Sequence, residues 1–370
     1  MIRRILAALA VFCLALALLV SCEGVRPAGS PELPKPGRGA FAELIGDAVA
    51  VPLVSDVGAF RVNCGLSHYN YADPIVAPGQ PFGSHLHSYF GNDAADWRST
   101  AATIRSSGGS TCTGGTLNRT AYWTPALIDT SGNDWETCTG LSDPSCTVLV
   151  PGGDPAAARP CDPFAWVQFC IDTVNAMQVY YKTGYDGVRP ETVQPFPAGL
   201  RMIAGDSKAT TAQPVDVAWW TCKQNHGDQG PRSATIAGTN CRAGQLLTQA
   251  VEFPQCWDGR NLDSPDHKAH MAYGAGWPDK GCPSSHPVPL PQITTWVHWR
   301  LPAGVDLEHL RLASDMHDGP GGIANHSDWF GGWDPDTFGL VVEQCLRPSL
   351  DCQMNLLGQT GQELTGPGGP

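Results

Sequence analysis

Charge is scarce in this chain. Asp, Glu, Lys and Arg make up 16% of its 370 residues, and 23 bases stand against 35 acids for a formal net charge of −12. No Lys/Arg cluster relieves that acidic balance. This argues against a nucleic-acid partner, whose affinity would come mainly from neutralised phosphates. The signatures of several enzyme classes are missing too: no GxSxG elbow, no Walker A loop, no dinucleotide fingerprint and no HExxH pair. DPDTFG, residues 334 to 339, lacks the later ligands of an EF-hand loop. No two cysteines form a CxxC, the usual mark of a thiolate zinc site. Beyond the N-terminus, no apolar run is long enough for a membrane span.

What the N-terminus does carry is a basic start, Met1-Ile2-Arg3-Arg4, and an apolar run from Ile5 to Val20 that ends in Leu19-Val20-Ser21-Cys22. The run is shorter than a spanning helix and reads as a secretory signal over residues 1–21. The cysteine directly after Leu-Val-Ser resembles a bacterial lipoprotein signal. This predicts a lipid on Cys22 and an exported protein held at the outer face of the cytoplasmic membrane. Once Cys13 and Cys22 are set aside, twelve of the 14 cysteines remain, an even number that in an exported protein predicts disulfides. The pairing is open; Cys138 with Cys146 and Cys345 with Cys352 are the local candidates.

Gly and Pro are abundant, with 42 and 32 residues, which suits a loop-rich β protein. A Pro/Gly-rich tether is expected over residues 22–58, a single domain over 59–352 and a disordered tail over 353–370. Short β-branched and aromatic segments predict strands at Phe60–Asn63, Thr120–Ile128, Thr147–Val150, Ala176–Tyr181, Leu200–Ala204, Thr294–Arg300 and Gly339–Glu343. Minor helices are expected at Trp166–Val174, Gly244–Val251 and Pro335–Cys345, the last overlapping a strand candidate. The fold class expected is mainly β, a β-sandwich or jelly roll with long disulfide-pinned loops.

Histidine, acid and glycine concentrate in four segments. GSHLHSYFGN places His85 and His87 at i, i+2, where extended backbone points both to one face. CWDGRNLDSPDHKAHMAY carries His267 and His270, GCPSSHPVPLPQI carries His286, and NHSDWFGGWDPD carries His326 and Asp328. These segments, together with DPIV, TCTGG, AYWTPAL, VYYKTG and PFPAGLRMIAGD in the same order, resemble the secreted family labelled Domain of Unknown Function nineteen-ninety-six. The resemblance covers about Phe60 to Cys345. It implies secretion, one domain and an association with cell walls or polysaccharide, since some fungal members carry carbohydrate-binding WSC modules. It implies no established reaction. The stretch ASDMHDGPGGIANHSDW departs from the shorter, glycine-rich approach typical of fungal members.

Two chemistries compete for these residues. A divalent ion held by imidazoles needs two or three histidines with a carboxylate or water. His85, His87, His286 and His326 are the candidate ligands, with Cu or Zn favoured by nitrogen donors. Metal-free acid/base work on a glycan would draw on Asp73, Asp266, His270 and Asp328 with the same histidines. Asp263 and Asp334 are further carboxylate candidates. Trp123, Trp257, Trp329 and Trp333 offer faces for sugar rings, or simply core bulk. The leading expectation is a surface lipoprotein whose histidine-rich cleft acts on or binds an extracellular polysaccharide, by hydrolase or lyase chemistry if it is an enzyme. The rivals are a non-catalytic copper or zinc protein, and a structural envelope protein whose histidines tie loops together.

Overall fold

The computed structural model describes residues 57–130, 176–225, 230–275, 281–301, 303–315, 318–358 and 366, together with strands at 45–48, 53–54, 147–149 and 362–364. All of these lie in the unit Gly37–Pro370.

Two antiparallel-rich sheets face each other. One has five strands in the order Arg201–Gly205, His326–Phe330, Ala121–Pro125, His87–Gly91 and Leu66–Asn70, each antiparallel to its neighbour. The other has seven strands. Ala218–Lys223, Leu246–Glu252, Gln292–Arg300, Met177–Lys182 and Ala59–Cys64 run antiparallel in sequence of position. Leu350–Met354 then joins Ala59–Cys64 in parallel, and Leu53–Val54 closes the edge. The expected mainly-β class is the observed one.

Alternation along the strands explains why these two sheets pair. Phe90, Tyr122, Met202 and Trp329 point inward from the five-stranded sheet. They share one buried apolar cluster with Phe60, Val62, Val179, Tyr181, Leu247, Val251, Ile293 and Trp299 of the seven-stranded sheet. A polar bridge crosses this core: Tyr122 Oη meets Tyr181 Oη at 2.5 Å, and Trp333 Nε1 donates to Tyr181 Oη at 2.8 Å. The phenols thus find partners without water, as buried polar groups must.

Four disulfides lie among the described residues: Cys64–Cys112, Cys222–Cys241, Cys256–Cys282 and Cys345–Cys352. The last is the local pair expected from spacing; Cys138 and Cys146 lie outside the described residues, as does the expected helix at Trp166–Val174. These bonds fit an oxidising compartment. No helix among the described residues is long and apolar enough to cross a membrane.

Three expectations are corrected. Gly244–Val251 is no helix: Leu246–Glu252 is a strand, sending Leu247, Gln249 and Val251 to the buried side between two partner strands. Pairing on both edges overrides the helical tendency of LLTQAVE. Gly339–Glu343 is no strand, because Asp334 caps a helix at Pro335–Val341 by accepting from Thr337 N at 2.9 Å. A π turn, Val342–Leu346, follows. The tail and tether are not wholly unstructured either. Gln362–Leu364 pairs with both Leu356–Leu357 and Ile45–Ala48, and Leu356, Leu357 and Leu364 are buried. That trio of apolar side chains is what a disordered tail would lack.

Candidate functional site

The five-stranded sheet has a second face, and the alternation that sends Ser88 and Phe90 inward sends His87 and Tyr89 outward. The same parity in His326–Phe330 turns His326 and Asp328 outward while Ser327 and Trp329 face the core. Ala121–Pro125 separates the two strands, pairing His87 with Pro125, Tyr89 with Trp123, and Trp123 with Asp328. Two rows therefore cross the sheet, and their histidines lean together over Pro125. His85 enters from the loop just before its strand.

The rings converge closely. Centroid separations are 4.2 Å for His85–His87, 5.0 Å for His85–His326 and 6.0 Å for His87–His326. One ring nitrogen from each of the three lies within 4.8 Å of the others, and donor atoms of Asp73, His87 and Asp328 form a second such group. His87, His326, Asp328 and Asp73 are buried, and His85 is half-buried.

Hydrogen bonding leaves the cluster incomplete. His326 Nδ1 donates to Ala324 O at 2.9 Å, so its Nε2 carries a free lone pair, 3.8 Å from Asp328 Oδ2. His85 Nε2, both nitrogens of His87 and Asp328 Oδ2 are buried without a hydrogen-bond partner. The Ala72 carbonyl beside His87 accepts from Tyr89 Oη at 2.7 Å. Asp73 Oδ1 accepts from the backbone of Ile75 and Val76, both at 2.9 Å, which fixes the carboxylate at the rim of the group.

Burial shapes the protonation states. It pushes His326 down to about 4. It holds His85 and His87 well below the usual histidine range, with help from neighbouring imidazoles. Burial, then the proximity of Asp73, raises Asp328 well above the carboxylate range, and burial raises Asp73. Neutral imidazoles with open lone pairs beside carboxylates that resist ionisation form a donor set that could hold a cation. A divalent ion held there would relieve the desolvated carboxylates and use the lone pairs at once.

The remaining sequence candidates lie elsewhere and are individually satisfied. His270 joins Ser264 Oγ at 3.0 Å and Arg201 O at 2.7 Å. His286 joins Ser285 Oγ and Ala269 O, both at 2.9 Å. Asp266 accepts from Ser264 Oγ at 2.7 Å and from the backbone of Lys268 and Ala269. These backbone and hydroxyl donors hold its carboxyl far below the usual range. All three residues brace the loop that docks on the edge strand Arg201–Gly205. Asp263 pairs with Arg201 and His267, and Asp334 caps a helix. Trp123, Trp329 and Trp333 are buried and offer no face to a sugar; Trp257, half-buried, donates to Asn261 O at 2.6 Å.

One support went unforeseen in the sequence. Asp315, buried, accepts from the backbone nitrogens of Leu312 at 2.8 Å, Gly322 at 2.7 Å and Ala324 at 2.9 Å. Ser314 Oγ donates to Ala324 O at 3.0 Å. The peptide that orients His326 is thus clamped on both sides, the outer-shell support expected behind a ligating imidazole. An acid preceding a glycine-rich turn was its only signal.

A family model described as Domain of unknown function (DUF1996) matches residues 73–333. The chain belongs to this family, and the match encloses every member of the His/Asp cluster. No curated protein and no solved structure matches.

Proposed function

We propose that this family member is an exported metalloprotein. His85, His87 and His326 hold a divalent transition ion, Cu or Zn, and the centre acts on or binds an extracellular polysaccharide. The observation that carries the metal reading is the convergence of three imidazoles, one nitrogen of each within 4.8 Å of the others, in a place where His85 Nε2 and both nitrogens of His87 are buried with no hydrogen-bond partner. A structural strut would have spent those lone pairs on hydrogen bonds, as His270 and His286 do. Leaving buried polar atoms unmet costs about 1–3 kcal/mol each, a cost a bound ion offsets. Nitrogen-rich donors favour Cu or Zn over Mg or Ca.

The polysaccharide reading has narrower support. The loop that delivers His85 also holds out Phe82, 83% exposed, with Tyr71 at a ring separation of 6.3 Å. An exposed ring on the loop that carries His85 suits sugar stacking. A lipid on Cys22, as the N-terminal segment suggests, would hold the protein within reach of wall polymers. A second reading, non-catalytic copper or zinc handling, draws on the burial of every donor residue except His85; a transport or storage site needs no open face for a polymer.

Elemental analysis of chelator-stripped protein after loading with Cu²⁺ or Zn²⁺ and desalting tests the centre. Retention of metal by the wild type and its loss in His85→Ala/His87→Ala, with circular dichroism unchanged, is the expected result. A wild type that retains no metal overturns the reading. Metal-dependent co-sedimentation with insoluble wall polysaccharide, weakened by Phe82→Ala, separates the polysaccharide reading from metal handling.

A further inference from the structure

We propose that His87 bridges two cations, one on its imidazole side with His85 and His326, the other on its carboxylate side with Asp73 and Asp328. This rests on the metal reading above and extends it from one ion to two.

The three histidines are not equivalent. His326 has one nitrogen committed to Ala324 O, which leaves a single lone pair for a metal. His85 has Ser84 Oγ beside its Nδ1, at 3.4 Å. His87 is fully buried and has nothing on either nitrogen. A histidine that serves one ion donates its other N–H to a carboxylate or carbonyl. The Ala72 carbonyl beside His87 accepts from Tyr89 Oη, and neither nitrogen of His87 makes a hydrogen bond, so a second partner is open to the ring beyond a first ion.

The second donor group meets His87 from the carboxylates. Asp73, His87 and Asp328 each offer an atom within 4.8 Å of the others. Asp328 Oδ2 is buried without a partner, and Asp73 Oδ1 is held by the backbone of Ile75 and Val76. Neither carboxylate has a neighbouring Lys or Arg in salt-bridge contact among the described residues. On binding the second ion, the remaining N–H proton of His87 leaves to solvent and the ring becomes an imidazolate. Two divalent ions then face two carboxylates and one imidazolate. The residual positive charge is met by hydroxide or by an anionic group of the bound polymer.

Chelator-stripped full-length protein is loaded with Cu²⁺, desalted, and examined by elemental analysis and quantitative electron paramagnetic resonance, with Zn²⁺ loading in parallel for stoichiometry. Two coppers per chain with a spin count well below the copper content, from coupling through the shared ring, is the expected result. Asp73→Asn/Asp328→Asn should retain one copper at full spin count; Asp73→Asn alone gives the same reading if the double variant fails to fold. One ion per wild-type chain overturns the bridge while sparing the single centre. Two ions with a full spin count place the second elsewhere and also overturn it. No retained ion overturns both proposals.

Discussion

Acidifying the metal-free protein should unfold it through the histidine cluster, and His326 sets the scale. Its pKa falls from 6.5 in an unfolded chain to about 4 when folded, because burial penalises the imidazolium. Between those values the unfolded state binds a proton that the folded state refuses, so stability is intact above 6.5 and drains away as pH drops toward 4. At about 1.4 kcal/mol per unit of pKa, His326 alone contributes a loss of about 3 kcal/mol across that window, a large share of a typical domain's stability. His85 and His87, also depressed, act in the same direction. Asp73 and Asp328 act oppositely: their raised pKa values mean that acidification relieves them, and their contribution is lost as pH rises.

The opposing carboxylates make a bare pH profile ambiguous, so the assay is a difference. Urea denaturation of chelator-treated wild type and His326→Gln is followed from about pH 7 to about pH 4. The glutamine keeps a donor toward Ala324 O and removes the titration. The wild type should lose about 3 kcal/mol relative to the variant over the window. Parallel profiles would refute the buried neutral imidazole. Saturating metal should flatten the wild-type profile near neutrality, since an ion at about a hundredfold its dissociation constant adds about 2.7 kcal/mol.

Other perturbations reach the fold, the site and the export signal separately. Cys64→Ala/Cys112→Ala opens a closure spanning 48 residues and should cost about 2–4 kcal/mol in urea denaturation; an unmoved midpoint would argue that the bond is not formed. Gly205→Ala, at φ +79°, drives a Cβ into Asn325 O and the His326 backbone, whereas Gly304→Ala, at φ +82°, meets nothing within 4 Å. Both strain the backbone, but only the first should also weaken metal retention; equal retention would detach the edge strand from the site. Cys22→Ala should abolish lipid labelling and release the protein from membranes, and unchanged labelling would show that the signal was misread.

Much of the β framework was legible because its strands carry their own pattern. Ala59–Cys64, Met177–Lys182 and Gln292–Arg300 alternate or pack β-branched and aromatic residues in short runs bounded by turns, which sterics reward only on a pleated surface. Leu246–Glu252 was misread because Leu, Gln, Ala and Glu favour helices locally, and only its two partner strands, remote in sequence, decide otherwise. The tail was misread for a related reason. Gly and Pro in GQTGQELTGPGGP hide a three-residue strand held by pairing with residues 45–48 and 356–357 and by the burial of Leu364.

The site shows where sequence reasoning must stop. The HxD lies in a strand, which puts His326 and Asp328 on one face; of the HxH only His87 is on a strand, and His85 reaches the same side from the bend before it. That the two pairs meet depends on Ala121–Pro125 lying between them, which no local pattern encodes. His270 and His286 sit in stretches just as rich in histidine and acid, yet they spend their nitrogens on Ser264, Arg201, Ser285 and Ala269. The property that distinguishes a ligand from a strut is an unspent lone pair in a buried place. Residue type and spacing do not carry that property; it arises from what the fold withholds. Around His87 the fold withholds every partner, and so this ring, rather than the denser histidine segment at 267–270, is where a metal should be sought first.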